Sequence, residues 1–593
     1  MATGHTRTPR DKDIFFKNVR IFDGLKVLQD NCIYISEGKI ARIGKDLDVP
    51  ENSVVVDGSG CTLLPGLFDS HVHVLNDNGL KKSLIFGVTT VMDMGTNPEF
   101  LAEKKKEQAA GIVDDRSDMV SGGMMITAPG GHGTQLGIPV QTIEKPDKSQ
   151  AIIDVSISTG SDYIKIIYDH ALGFPTLSKE TLSALIDAAH KRKKMAVVHV
   201  ATIQDARDAV ESGADGLAHI YSAPESSQEF ARLAALNNIF VIPTLAAGES
   251  GGNVLGRKAI ISDSRLAPYI TPGDIAILDQ SLSQVYGSTS DFYPIAERAV
   301  HELKNANAAI LAGTDASDYN FGLMHGISLH RELELLVRAG LTPSEALASA
   351  TSIPASRFGL MDRGLIEKGL RADLVVVRGN PTVDILATRD IVGVWKNGVQ
   401  IDRDAYRIEV ARQKAEASRN AIDRQTESES GLVSDFERDT PTSTFGYGWA
   451  VMTDKAIGGK STAEFIIVLD GANGSRGSLH ISGEIIPGKQ DSFAGAVFYA
   501  GKAPMMPADL SSKKEICFWA KGDGNKYQVR LYSMRTGGVP GINTFTAGPE
   551  WRMFSFPMAS FNGADGRDFV ALLFTAGPGH DKFSFQIDDV QIK

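Results

Sequence analysis

Residues 67–74 read LFDSHVHV, with imidazoles at His71 and His73. In a β-strand, residues two apart point to the same side, so both rings can face one cavity. Alone, that pair is weak evidence for a metal. Further along, Lys165 interrupts the apolar run DYIKIIY, His199 lies near the end of MAVVHV, His219 near the end of GLAHI, and Asp315 ends AAILAGTD. A lysine inside an apolar strand is costly unless its charge is neutralised or paired. Taken singly, each of these residues has a structural reading, as a snorkelling lysine or a packed histidine. Taken together, they are the usual ligand types of zinc and similar ions, repeated at the ends of apolar runs. Two such ions roughly 3.5–4 Å apart can share a hydroxide and clamp both ends of a reacting bond.

The elements that must position these side chains follow from the texture of the chain. From about 63 to 358, short apolar runs (GVTTVMDMG, DYIKIIY, MAVVHV, FVIPTL) alternate with helical stretches such as SKETLSALIDAAHKRKK. Strand–helix repetition over this length predicts a parallel (β/α)8 TIM barrel, whose strands read as near-continuous apolar runs and whose site sits at the carboxy-terminal strand ends. Residues 14–62 carry alternating β-patterns punctuated by Gly24, Gly38 and Gly58, expected as a small antiparallel unit. Similar signals return in RADLVVVRGN and IVGVWKNGVQI, so residues 14–62 and 359–402 are expected to form one small composite β-sandwich. Residues 1–13 read as a flexible tail and 403–430 as a helical linker. From 431 to 593, aromatics, short strands and Gly/Pro turns predict an all-β sandwich. The fold class is therefore α/β with an added all-β domain.

Composition narrows the function. The chain has 593 residues, 42% hydrophobic and 22% charged, which are ordinary globular values. Its 61 basic against 72 acidic residues give a formal charge of −11, which argues against a nucleic-acid partner. Cys32, Cys61 and Cys517 are far apart and form no zinc-ribbon or redox spacing. No run of about 18 apolar residues suggests a membrane span. The start, MATGHTRTPRDKD, lacks a signal-peptide core. The expected location is cytoplasmic as the chain is written, or periplasmic or secreted if a signal peptide has been removed. The stretch AIGGKST lacks the first glycine of a phosphate-binding loop, since that position is Asp454.

The motifs LLPGLFDSHVHV, DYIKII, VVHV, GLAHI and AGTDAS resemble the amidohydrolase superfamily, as does ALASATSIPASRFGLMDRGLIEKGLRADLVVVRGNP. Within it, SGGMMITAPGGHG and HRELELLVRAGLTPSEAL resemble the prolidase-like and imidazolonepropionase-like branch. The resemblance covers residues 14–402. It implies a binuclear centre: His71, His73 and Asp315 on one ion, His199 and His219 on the second, and Lys165, carboxylated by carbon dioxide, bridging both. Zinc is the expected ion. Asp315 is implied as general base, then acid, while metal-activated hydroxide cleaves a C–N amide bond. Dipeptides or N-acyl amino acids are the expected substrates. A cyclic amide, a lactone, or a non-catalytic glycan-binding role are the alternatives.

Substrate contacts are less sharply marked. His132, in APGGHG, is expected on the loop after the third strand, hydrogen-bonding a substrate carbonyl or oxyanion. Tyr168, three residues after Lys165, is a candidate for the same cavity. His325 and His330 could meet a substrate's polar end, with helix packing as the competing explanation. His170, close behind Lys165, is a further candidate set against a packing role, while His190, His301, His480 and His580 read as surface or packing residues. At the C-terminus, SDFERD, WAVMTDKAIGGKSTAEF and FSFQIDDVQIK resemble complex I intermediate-associated protein 30, which implies a jelly-roll-like, galactose-binding-like sandwich. Trp449, Trp519, Tyr527, Tyr532 and Trp551 could stack on a sugar there or belong to its core. A glycan or subunit contact through this domain, and a homo-oligomer, complete the expected partners.

Overall fold

A computed structural model describes residues 12–593 apart from 30, 46, 112–113, 137–138, 224, 251–253, 279–291, 318–321, 428–430, 455–459, 488–491, 502–503, 505, 534–539 and 580. The chain divides into two compact units, one up to Arg412 and one from Gln413. His580 and most of the AIGGKST stretch lie outside the described residues.

The first unit opens with two small sheets. One orders Lys39–Gly44, Cys32–Ser36, Ile14–Lys17 and Val54–Asp57. The other orders Arg20–Ile21, Cys61–Pro65, Leu374–Arg378, Ile391–Lys396 and Val399–Gln400. Phe16, Ile35, Leu63, Leu374 and Trp395 form their shared core, with the rings of Phe16 and Trp395 edge to face at 4.9 Å. The pairing is not wholly antiparallel as the sequence suggested. Ile14–Lys17 lies parallel to Val54–Asp57, and Arg20–Ile21 parallel to Cys61–Pro65. The hairpin Cys32–Gly44 occupies the other edge of Ile14–Lys17, so the returning chain adds on the free side in the same direction.

Cys61–Pro65 runs directly into Leu67–His73, the first of a series of parallel strands. One parallel sheet orders Ala316–Ser317, Leu67–His73, Val88–Asp93 and Asp118–Ser121. A second orders Val140–Thr142, Met125–Thr127, Ile164–Ile167, Ala196–His199, Gly216–Ala218, Phe240–Ile242 and Ala309–Ile310. Backbone bonds cross between the sheets on both sides: Ser70 N donates to Ala312 O at 2.8 Å, and Asp162 N to Ser121 O at 2.8 Å. Val88–Asp93 and Ile164–Ile167 are buried at every position, as a sheet covered on both faces requires. Helices Asp77–Ile85, Lys179–Lys191, Ile203–Glu211 and Gln228–Leu236 follow strands Leu67–His73, Ile164–Ile167, Ala196–His199 and Gly216–Ala218 in turn. Thr202 and Asp205 cap one of them reciprocally, each side chain accepting the other's backbone N–H. The pair Met125–Thr127 and Val140–Thr142 was not anticipated; it brackets the loop that carries His132.

In the second unit, two antiparallel sheets face each other. One orders Thr462–Val468, Ser478–Glu484, Lys582–Ile592, Glu515–Gly522 and Arg552–Pro557; the other orders Gly448–Thr453, Ala494–Tyr499, Phe569–Ala576, Lys526–Ser533 and Gly541–Thr546. Phe518, Phe545, Phe574, Phe585 and Tyr527 pack between them. Trp449 lies against Phe436, Phe498 and Phe574, and its indole N–H donates to Ser434 Oγ at 2.7 Å. Trp449 and Tyr527 are therefore core residues of this unit. Among the described residues, no helix is long and apolar enough to cross a membrane.

Candidate metal centre

The strand alternation turns His71 and His73 to one side, and the residues after Ala309–Ile310 bring Asp315 to them. Asp315 Oδ1 lies 3.3 Å from Nε2 of His71 and 3.3 Å from Nε2 of His73. Close approach at this point requires glycine: a Cβ on Gly313 would lie 2.8 Å from His71 N and 2.5 Å from Ile242 Cγ2. Asp69 fixes both sides of the junction. Its carboxylate accepts the backbone N–H of His71 (3.3 Å), the N–H of Thr314 (3.0 Å) and the Thr314 hydroxyl (2.7 Å). Burial pushes Asp69 up to about 7 against these bonds.

The remaining imidazoles close the group. The His219 ring lies 4.6 Å from that of His71 and 4.4 Å from that of His199, and His132 lies 5.1 Å from His199. Candidate ligand atoms of His71, His219 and Asp315 fall within 4.8 Å of one another, as do those of His132, Asp169 and His199. Three contacts set which ring nitrogens face inward. His73 Nδ1 meets Gly95 O at 3.2 Å, His219 Nδ1 meets Thr244 Oγ1 at 2.9 Å, and His199 Nε2 meets Asp169 Oδ2 at 3.3 Å. These leave Nε2 of His73 and His219, and Nδ1 of His199, for a ligand. Asp169 thus serves His199 as an orienting carboxylate, and the Nε2 contact favours that role over a separate ion on that pair. His219, Thr244 and Asp315 all hold positive φ, at +69°, +48° and +61°. For non-glycine residues, and above all for a β-branched threonine, such backbone persists only where its surroundings fix it.

Lys165 is 1% exposed, and its Nζ has no hydrogen-bond partner among the described residues. Burial pushes it down to about 7, opposed by the charges of Asp315 and Asp93. Burial and Lys165 hold His71 well below the ordinary imidazole value; burial and His199 do the same to His219. Burial also pulls on His73, but the hydrogen bond and charge of Asp315 outweigh it and raise that ring. Among the described residues, neither His71 ring nitrogen has a hydrogen-bond partner, since the 3.3 Å approach of Asp315 is an ion-pair contact only. Buried donors left unsatisfied, next to an unpartnered lysine, mark a site made for something further.

His132 is neutral: burial and the neighbouring His199 push it down to about 4. Its Nδ1 lies 2.9 Å from the Gln135 amide nitrogen, which can only donate. The His132 proton is therefore on Nε2. His325 is buried beside Gly79, where a Cβ would meet its ring at 2.9 Å, and is not among the converging ligand atoms.

Two expected substrate contacts lie elsewhere. Tyr168 follows Lys165 by an odd number of residues, so it faces the helix layer. There its hydroxyl donates to Asp208 Oδ2 at 3.0 Å, and burial and that bond raise it well above the usual range. His330 lies on helix Ile327–Arg338 with Nε2 3.0 Å from Phe86 O, ahead of strand Val88–Asp93 and so at the opposite strand ends. Asp169 was missed, although it follows Lys165 by an even offset. The other described histidines are paired locally: His170 with Asp205, His190 with Asp215, His301 with Ala339 O and His480 with Ser584.

Comparison with known proteins decides the family. Residues 62–402, more than half of the chain, match the Amidohydrolase family. This chain belongs to the amidohydrolase family. Residues 435–568 match Complex I intermediate-associated protein 30 (CIA30). Ochratoxinase from Aspergillus niger is 20% identical over 428 residues, covering 63% of this chain and 82% of its own. Imidazolonepropionase from Geobacillus sp. (strain WCH70) is 23% identical over 390 residues, covering 59% and 84%. The crystal structure of a putative prolidase from Bifidobacterium longum aligns with a TM-score of 0.54 at 23% identity, over 68% of this chain and 100% of that one. A structure titled as a Xaa-Pro dipeptidase with bound methionine aligns with a TM-score of 0.53 at 21% identity, over 66% and 99%. These neighbours share the fold, with its TIM-barrel class of parallel sheet.

Proposed function

We propose that this amidohydrolase is a binuclear metal-dependent hydrolase of C–N amide bonds, acting on dipeptides or N-acyl amino acids from within a closed (β/α)8 barrel. The observation that carries the reading is the convergence of His71, His73, His199, His219 and Asp315 around the unpartnered Nζ of Lys165. That donor set fits two divalent cations. His71, His73 and Asp315 would hold one, and His199 and His219 the other. Lys165, carboxylated on Nζ, would stand between them, which turns a buried unpaired cation into an anionic ligand. The imidazole-rich set suits zinc. When bound, such ions supply Lewis acidity toward a carbonyl oxygen and lower the pKa of water.

The chain's own groups do the rest. Asp315 lies beside two imidazoles and is placed to take a proton from attacking water and return it to the departing nitrogen. His132 offers an Nε2–H, fixed by Gln135, toward the oxygen on which charge develops. Asp69 holds the strand of His71 and the loop of Asp315 in one register.

The test is hydrolysis of a panel of dipeptides and N-acyl amino acids by zinc-loaded full-length chain, before and after chelation. Turnover lost on chelation, restored by zinc and absent from Asp315→Asn is the expected result. No turnover of any amide by the zinc-loaded chain overturns the reading.

A further inference from the structure

The stretch HRELELLVRAGLTPSEAL contains a carboxylate that the proposed reaction does not use. Glu332 lies on helix Ile327–Arg338 and is fully buried, yet among the described residues it pairs with no cation. Both of its oxygens are spent on backbone. Oε1 accepts the N–H of Leu245 at 3.0 Å, and Oε2 accepts the N–H of Ala246 at 2.7 Å. These residues immediately follow Thr244, whose left-handed backbone a threonine does not adopt unaided. Thr244 in turn places Oγ1 2.9 Å from His219 Nδ1, and His219 is itself left-handed. A buried carboxylate is retained at a cost unless its bonds accomplish something.

From these contacts we infer that Glu332 is a positioning residue for His219. It clamps the backbone after Thr244, so that the threonine hydroxyl fixes the ring's tautomer and aims Nε2 at the second ion. The inference rests on the binuclear reading and goes beyond it, since it concerns a residue with no contact to any ligand. A clamp on one ligand differs from general support of the fold: it acts on one ion and leaves the other alone. Glu332→Gln keeps the volume but replaces one acceptor oxygen with a donor, which cannot accept a backbone N–H. Loss of an outer-shell partner of a ligating histidine costs about 10- to 100-fold in metal affinity.

The experiment is a zinc titration of metal-stripped full-length protein against a competing chelator, for wild type, Glu332→Gln, Thr244→Val and the double variant. Wild type should bind two zinc ions. Each single variant should weaken one site by about 10- to 100-fold and leave the other within a few fold. The double variant should be no worse than the weaker single, because both act along one path. Two wild-type sites that Glu332→Gln leaves unchanged, or weakens equally, overturn the inference while the binuclear reading stands. Fewer than two sites in the folded wild type overturn the binuclear reading, and the inference with it. If Glu332→Gln does not fold, Thr244→Val decides: an unchanged pair of affinities breaks the path at its last link.

Discussion

Replacing Lys165 with methionine should stabilise the metal-free protein while weakening its response to metal. Methionine follows the lysine side chain as far as Cε and carries no charge. In the metal-free chain, Lys165 is buried with Nζ unpartnered and pushed down from 10.5 to about 7. A gap of this size, at 1.36 kcal/mol per unit, corresponds to a destabilisation of about 4 kcal/mol at neutral pH. The sign follows from proton uptake. Below about 10.5 the unfolded lysine holds a proton that the folded one resists, so unfolding is favoured. As pH rises from about 7 to 10.5, that penalty disappears. Lys165→Met should therefore exceed wild type in stability by up to about 4 kcal/mol at pH 7, and the advantage should shrink toward pH 10.5. Hydrogen exchange under urea, read from peptides of the first unit, reports its unfolding separately from the second. Added zinc should raise the protection of wild type more than that of the variant. A metal-free variant less stable than wild type at pH 7, or an advantage independent of pH, would refute the reasoning.

Three further outcomes follow from the geometry. Tyr168→Phe removes only a bond to Asp208 in the helix layer, so kcat/KM should stay within a few fold and stability should fall by about 1 kcal/mol. His330 is buried neutral and depressed from 6.5 to about 4, so its contribution is complete above pH 6.5 and is lost as pH falls to 4. His330→Gln should flatten the acid limb of the first unit's stability curve by about 3 kcal/mol, measured by urea midpoints across that window. Asp169→Asn should weaken zinc binding about 10- to 100-fold by loosening His199, as read in a zinc titration against a competing chelator.

Much of the site was legible because strand geometry is periodic. His71 and His73 share a face at offset two, and the ends of apolar runs mark where a parallel sheet gathers its side chains. The same rule exposes the misses. Tyr168 stands at an odd offset from Lys165 and faces the helices, while Asp169, at an even offset, reaches His199. His330 could not be placed, because a helix residue's direction depends on how the helix docks, and here it docks against Phe86 at the far strand ends. The strands Met125–Thr127 and Val140–Thr142 are too short to show a period, so the brackets around His132 were invisible. The parallel pairing of Ile14–Lys17 with Val54–Asp57 escaped for another reason. Alternation reveals which face is buried but not the direction of the neighbour. The role of Glu332 is one that spacing cannot carry, since both of its bonds go to backbone far away in sequence.

The central claim is that six side chains from five segments of the chain, His71 and His73 sharing one strand, form one binuclear centre. The most direct measurement is the metal content of the full-length protein after zinc loading and desalting, with Asp315→Asn and Lys165→Met alongside. The account predicts about two zinc ions per wild-type chain and fewer in both variants, with the fold intact. A folded wild-type chain that retains no zinc, or variants that retain as much as wild type, would contradict it.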